Sequence, residues 1–160
     1  MALEIERRFL VVGEGWRHHS LWVRSLRQGY LVAAAEGLTV RVRTSSPLGE
    51  SGATEGAGVG GQTELSPEAF LTLKAPPPAG FSGPALCRLE FEYAIPLADG
   101  EELLALVAAS LRKRRHGLDL SGGDWVVDVF EGENAPLVLA EVEIASADQA
   151  VMIPSWCGRE

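Results

Sequence analysis

Apolar and charged residues alternate from the start of the chain, with Leu3, Ile5 and Phe9 on one parity and Glu4, Glu6 and Arg8 on the other. A period of two predicts a strand with one buried and one wet face. The pattern recurs. Residues 25–34 read as a strand with Gln28 and Tyr30 on one parity, and 37–45 set Thr39, Arg41 and Arg43 opposite Leu38, Val40 and Val42. Residues 70–75 set Thr72 and Lys74 opposite Leu71 and Leu73, and Arg88, Glu90 and Glu92 alternate with Leu89, Phe91 and Tyr93. Farther on, Lys113 and Arg115 share a parity within 112–120, Asp128 and Phe130 lie opposite Trp125, Val127 and Val129, and Glu141 and Glu143 lie opposite Val138, Ala140, Val142 and Ile144. Eight strands are expected, nearly all with charge on the face opposite an apolar one.

Between them, 13–25 read as a short helix or loop packing Trp16, Leu21 and Trp22. A helix is predicted over 99–111, with Asp99 as N-cap, Glu102 three residues on, and Leu103, Leu106, Val107 and Ser110 or Leu111 as its inward stripe. Ser146 and Gln149 have the spacing of a capping box for a short helix before the final IPSWCGRE. Residues 45–68, rich in Gly, Ser, Ala, Thr and Glu, read as a flexible loop, and the proline-rich 76–84 as a connector. Gly56, Gly58 and Gly61 match G-x-G-x-x-G, but without a preceding apolar strand or a following helix the motif does not predict dinucleotide binding.

Composition narrows the class. At 160 residues the simplest organisation is one domain spanning 1–160, long enough for a real core. The 22 acidic against 14 basic residues give a net charge of −8, which argues against general affinity for nucleic acid or an anionic membrane. Cys87 and Cys157 form no Cys-x-x-Cys unit, and the adjacent His18 and His19 point apart, so neither a disulfide scaffold nor a zinc site is expected. The N-terminus has no secretory pattern and no run of 18 apolar residues occurs; a cytoplasmic protein is expected.

The charged faces hold seven carboxylates (Glu4, Glu6, Glu90, Glu92, Asp128, Glu141, Glu143) and seven cations (Arg8, Arg41, Arg43, Lys74, Arg88, Lys113, Arg115). Spacings such as E-x-E and R-x-R project both charges of a pair from one strand in one direction. If the strands close with their apolar faces outward under helices, the charges line a wet interior. The expected fold class is therefore α+β, a closed eight-stranded antiparallel β-barrel with a few packing helices. Clustered carboxylates need a hard cation, which favours Mg2+ or Mn2+ over zinc, and clustered guanidinium groups match phosphate oxygens. A metal-chelated polyphosphate satisfies both, and phosphoryl transfer depends mainly on positioning and charge neutralisation.

LEIERRFLV resembles the E-x-E-x-K opening of the CYTH superfamily, the triphosphate tunnel metalloenzymes, which includes adenylyl cyclases, thiamine triphosphatases and inorganic tripolyphosphatases. The resemblance continues through LRQGYL, TVRVR, LTLK, RLEFEY, the Lys113 and Arg115 pair, VDVFEGENAPLVLAEVEI and PSWCG, with the short bacterial tripolyphosphatase-like branch nearest in pattern. It implies a tunnel that hydrolyses a triphosphate with a divalent metal. Adenylyl cyclase, thiamine triphosphatase or a non-catalytic polyphosphate or nucleotide binder stay open as alternatives. By position, Glu4, Glu6, Glu141 and Glu143 match metal-binding acids of the family, with Glu90, Glu92 and Asp128 as further candidates. Arg41, Arg43, Lys74, Arg88, Lys113 and Arg115 match phosphate clamps, while Tyr30 and Lys74 match a pair that helps activate water. Arg8 stands where the motif has Lys, which keeps a phosphate contact and loses a proton acceptor. The partner implied is a small-molecule triphosphate, with a homodimer left open. Relatives continue past the position of Glu160 with residues near the tunnel mouth, so a shortened C-terminus is expected to affect activity.

Overall fold

Each alternating stretch forms a strand. The computed structural model describes residues 3–49, 66–80 and 85–160. Its strands are β1 (Leu3–Leu10), β2 (Ser20–Ala33), β3 (Thr39–Pro47), β4 (Glu68–Ala75), β5 (Leu86–Ile95), β6 (Ser110–Leu118), β7 (Asp124–Phe130) and β8 (Val138–Glu143). They close into an antiparallel barrel in the order β1-β5-β4-β3-β2-β6-β7-β8. One α-helix, α1 (Leu97–Leu106), and 3-10 turns at Gly15–His19 and Gly132–Asn134 accompany them. The G-x-G-x-x-G motif, most of the glycine-rich stretch and the end of the proline-rich connector lie outside the described residues.

The hydrophobic core sits outside the barrel wall. Ile5, Phe9, Cys87, Trp125, Val127, Ala140 and Val142 point outward from β1, β5, β7 and β8 and pack beneath Trp16, Ile144 and Trp156. Trp125 meets Trp156 edge to face with ring centroids 6.0 Å apart. A 3-10 turn and the C-terminal segment cover this wall, where the sequence suggests helices. The segment is held by backbone bonds from Val12 N–H to Trp156 C=O and from Leu10 N–H to Arg159 C=O. The α-helix covers β3 and β4 instead, burying Leu104.

Four local expectations are corrected. Residues 20–25 are strand, and of the three residues expected to pack there only Trp16 is buried; Leu21 and Trp22 are exposed. An irregularity between Ser20 and Trp22 in the pairing with β6 breaks the period that would have marked the strand. The helix begins at Leu97 behind Pro96, whose fixed φ suits a helix entry, and Asp99 lies in the first turn without capping it. It ends at Leu106, which is exposed; Gly100 and Leu104 are its buried residues, while Ser110 and Leu111 start β6. No helix follows Ser146: the Gln149 side chain accepts from the Ala145 N–H and donates to the Gly122 carbonyl. No helix among the described residues is long and apolar enough to cross a membrane.

Candidate functional site

Residues directly opposite each other in neighbouring strands share a face, so the register decides which side chains meet inside. Glu4 faces Arg88, Arg8 faces Glu141, Glu6 faces Glu143, Lys74 faces Glu90, Thr72 faces both Glu92 and Arg41, Gln28 faces Arg43, and Arg115 faces Asp128. All seven candidate acids and all seven candidate cations fall on this inner face. The outward residues of β6 behave differently: Arg112 and Arg114 are exposed, while His116 is buried against Trp16.

The inner charges form one nearly continuous chain of ion pairs. It runs from Lys113 to Asp128 (2.6 Å), Asp128 to Arg115 (2.7 Å), Arg115 to Glu141 (3.1 Å) and Glu141 to Arg8 (3.2 Å). It continues from Arg8 to Glu6 (2.6 Å), Glu6 to Arg88 (2.8 Å), Arg88 to Glu4 (3.5 Å), Glu4 to Lys74 (2.7 Å) and Lys74 to Glu90 (3.4 Å). Across the lumen Arg41 and Arg43 share the single carboxylate of Glu92, at 3.6 and 3.3 Å. Glu143 makes no ion pair with a described residue.

The charges do not balance locally, and ionisation equilibria show where. Burial and the neighbouring charge of Arg41 lower the Arg43 guanidinium to about 10, which Glu92 only partly offsets. Burial, followed by the charge of Arg115, lowers Lys113 to about 8 despite its contact with Asp128. On the other side, burial and a hydrogen bond shared with Glu4 raise Glu90 to about 7. Glu6 is raised by burial against the pull of Arg8, and Glu143 by burial and then by the charges of Glu4, Asp124 and Glu6. One side of the lumen thus holds surplus positive charge and the other crowded carboxylates. Buried polar atoms agree: Nε of Arg41, Arg43 and Arg88 and Oε1 of Gln28 have no hydrogen-bond partner. Buried donors without acceptors are costly, and an anion beside these arginines would supply them.

A cavity of about 240 Å³ opens beside these groups, lined by Arg8, Tyr30, Ala33, Thr39, Arg41, Lys74 and Arg88. Tyr30 and Lys74 thus line one cavity, Tyr30 exposed at its mouth and Lys74 buried against Glu4. The crowded acids suit a hard divalent ion. Among the described residues, however, no three Asp, Glu, His or Cys side chains already converge as a ligand set, because Lys74, Arg8 and Arg88 occupy Glu4 and Glu6. The fit is one of donor chemistry, and a metal would displace these cations.

The CYTH domain family matches residues 2–160. The chain belongs to this family. This CYTH protein is 30% identical over 162 residues to an inorganic triphosphatase of Acetivibrio thermocellus, covering 100% of this chain and 86% of that protein. It is 32% identical over 161 residues to an inorganic triphosphatase of Nitrosomonas europaea, covering 98% and 87%. A crystal structure of an inorganic triphosphatase superposes with a TM-score of 0.56 at 30% identity, covering 99% of this chain and 86% of that one.

Sequence reasoning missed Arg24, which points inward and bonds Ser45 and Glu68. It left Thr72 without a role, although the hydroxyl is fully buried between Glu92 and Arg41. Recognising 20–25 as strand would have placed Arg24 on the same parity as Gln28 and Tyr30.

Proposed function

We propose that this CYTH protein hydrolyses inorganic triphosphate, held in the charged lumen together with Mg2+ or Mn2+. The observation that carries the reading is the set of buried guanidinium donors without acceptors, at Arg41, Arg43 and Arg88, beside a cavity that opens at Tyr30. The names of the two relatives, both inorganic triphosphatases, favour this substrate over a nucleotide or thiamine ester.

In this reading Arg41, Arg43, Arg88 and Arg115 offer planar donor pairs to phosphate oxygens, and Lys74 and Lys113 add point charges. Arg8, bridging Glu6 and Glu141, orients the acids and contacts the phosphate. Glu4, Glu6, Glu141 and Glu143 would hold the metal, with Glu90 joining them through Lys74, while Glu92 orients Arg41 and Arg43 and Asp128 orients Lys113 and Arg115. When bound, the ion neutralises phosphate charge and polarises the phosphorus–oxygen bond. Tyr30 and Lys74 line the cavity and orient the water that attacks the terminal phosphorus, while its proton passes to a phosphate oxygen, since Lys74 already donates to both oxygens of Glu4. The barrel wall keeps the reacting group away from bulk solvent, which strengthens every one of these contacts.

Phosphate release from tripolyphosphate, measured with Mg2+, Mn2+ or a chelator, tests this. Turnover should require metal and fall by about two orders of magnitude or more in Glu4→Gln and Glu6→Gln. Full activity in chelator would overturn the reading, as would cyclic AMP formation from ATP with no phosphate release from tripolyphosphate.

A further inference from the structure

The two ends of the barrel differ in lining. The cavity opens at the end bearing Tyr30, Ala33 and Thr39. Toward the other end apolar side chains join the inner face around Arg24, whose guanidinium is held by Ser45 and Glu68. Leu26, opposite Lys113 in the register, is buried, and Phe70 lies beneath the Arg43 guanidinium at 5.6 Å from its ring centroid. Beyond them stand Trp22 and Gly117, directly paired across β2 and β6, with Val126 paired to Gly117 from β7.

Gly117 is two residues beyond Arg115, whose side chain reaches Asp128 and Glu141 inside the lumen. A Cβ on Gly117 would point the same way and would meet the Trp22 indole, 2.0 Å from Cε2 and 2.3 Å from Nε1. The indole therefore rests in the space that a side chain at 117 would fill, on the inner side of the wall. The outer side of that wall is taken by Val23 and His116.

We infer that Trp22, seated on Gly117, closes this end of the barrel and makes the lumen a pocket with one mouth, so that linear phosphate chains enter by an end. The inference rests on the proposed phosphate-binding lumen and adds the geometry of access to it. A phosphate chain is strongly hydrated, and threading it past Trp22, Leu26, Phe70 and Val126 would strip that water, while the Arg24 guanidinium among them is already held by Ser45 and Glu68. A chain longer than the pocket then protrudes through the Tyr30 mouth, and its internal anhydrides never reach the charged belt. Water adds to the terminal phosphorus, the bond from that phosphorus to the bridging oxygen breaks, and the bridging oxygen leaves with the electron pair on the shortened chain. The water's proton passes to a phosphate oxygen, and orthophosphate is released.

The products of a linear polyphosphate of defined medium length, separated on a denaturing gel, test this. The wild-type protein with Mg2+ should release orthophosphate and leave chains shortened one unit at a time. Trp22→Ala should add fragments of intermediate length while its turnover of tripolyphosphate stays within about threefold, since no lumen charge is altered. Gly117→Ala, which forces the indole from its seat while keeping every charge, should give the same fragments and stands in if Trp22→Ala does not fold. Intermediate fragments from the wild type, or an unchanged end-only pattern in the folded variants, would overturn the closed end while leaving triphosphate hydrolysis intact. Absence of tripolyphosphate turnover in the wild type would instead defeat the functional reading itself. Quenching by acrylamide gives a second readout. Trp22 is 46% exposed, whereas Trp16, Trp125 and Trp156 are 1%, 3% and 8% exposed, so the quenchable fluorescence belongs mainly to Trp22. Saturating tripolyphosphate should leave that quenching unchanged, and protection of Trp22 by tripolyphosphate would contradict the inference.

Discussion

Replacing Asp128 with Asn removes a negative charge from the most enclosed ionic cluster of the barrel. Asp128 is fully buried, 2.6 Å from Lys113 Nζ and 2.7 Å from both Nε and a terminal nitrogen of Arg115. Burial alone would raise its carboxyl, but Arg115 and then Lys113 hold it at about 2 against the ordinary 3.8. That difference favours the ionised side chain in the fold by about 2 kcal/mol. Neutralising it also leaves two buried cations facing each other, and breaking a buried pair in this way costs roughly 3–5 kcal/mol. Asparagine keeps one hydrogen-bond acceptor, so a loss of about 3 kcal/mol is expected, a fall in Tm of roughly 6–12 °C at this chain length. Urea denaturation at neutral pH reads the change. The exposed pair Arg114–Glu131 supplies a control, since Glu131→Gln should alter stability by less than about 0.5 kcal/mol. The pH dependence has a definite sign. An acid whose pKa is lowered by folding contributes stability that is complete above 3.8 and lost as pH falls through about 2, so the deficit of Asp128→Asn should shrink over that interval. A variant within about 0.5 kcal/mol of wild type at neutral pH, or a deficit constant down to pH 2, would refute the reasoning.

Other consequences can be checked alongside. Glu90, raised to about 7, contributes stability that is complete below 4.5 and lost as pH rises through about 7; Glu90→Gln should flatten the stability profile across that interval, as thermal melts at successive pH values would show. Gly100→Ala ought to destabilise despite better helix propensity, because its Cβ would lie 2.5 Å from the Ala69 Cβ; about 1–3 kcal/mol of overpacking outweighs the roughly 1 kcal/mol gained, and an increase in Tm would contradict this. Arg8→Lys should weaken tripolyphosphate binding several-fold, since one ammonium cannot span Glu6 and Glu141 as the guanidinium does; calorimetry with unchanged affinity would count against that role.

Much of the barrel was readable because the wall has to satisfy two environments at once. Period-two alternation in β1, β5 and β8 is strict, so Glu4, Glu6, Glu90, Glu92, Glu141 and Glu143 were assignable to one face before any pairing was known. The pairing itself was not readable: that Glu4 meets Lys74, 70 residues away, depends on the strand order around the barrel. Local signals failed where a single residue overrode them. Pro96 set the helix start in place of Asp99. The irregularity at Ser20 and Trp22 hid the beginning of β2, and with it Arg24. The capping spacing of Ser146 and Gln149 was satisfied by a loop, since the amide found the Gly122 carbonyl instead. Inward glycine carries no polarity signal, so the seat of Trp22 on Gly117 emerges only from the register of β2 with β6.

Titration calorimetry of tripolyphosphate with chelator present isolates the grip of the inward cations on a phosphate chain. The double variant Arg41→Gln/Arg43→Gln removes two inward guanidinium groups, and Arg112→Gln removes an outward one. Charge-assisted contacts are worth roughly 1.5–3 kcal/mol each, so the inward variant should bind at least about 100-fold more weakly while the outward variant matches wild type. Equal affinities in all three proteins would mean that the phosphate chain is not held inside the barrel.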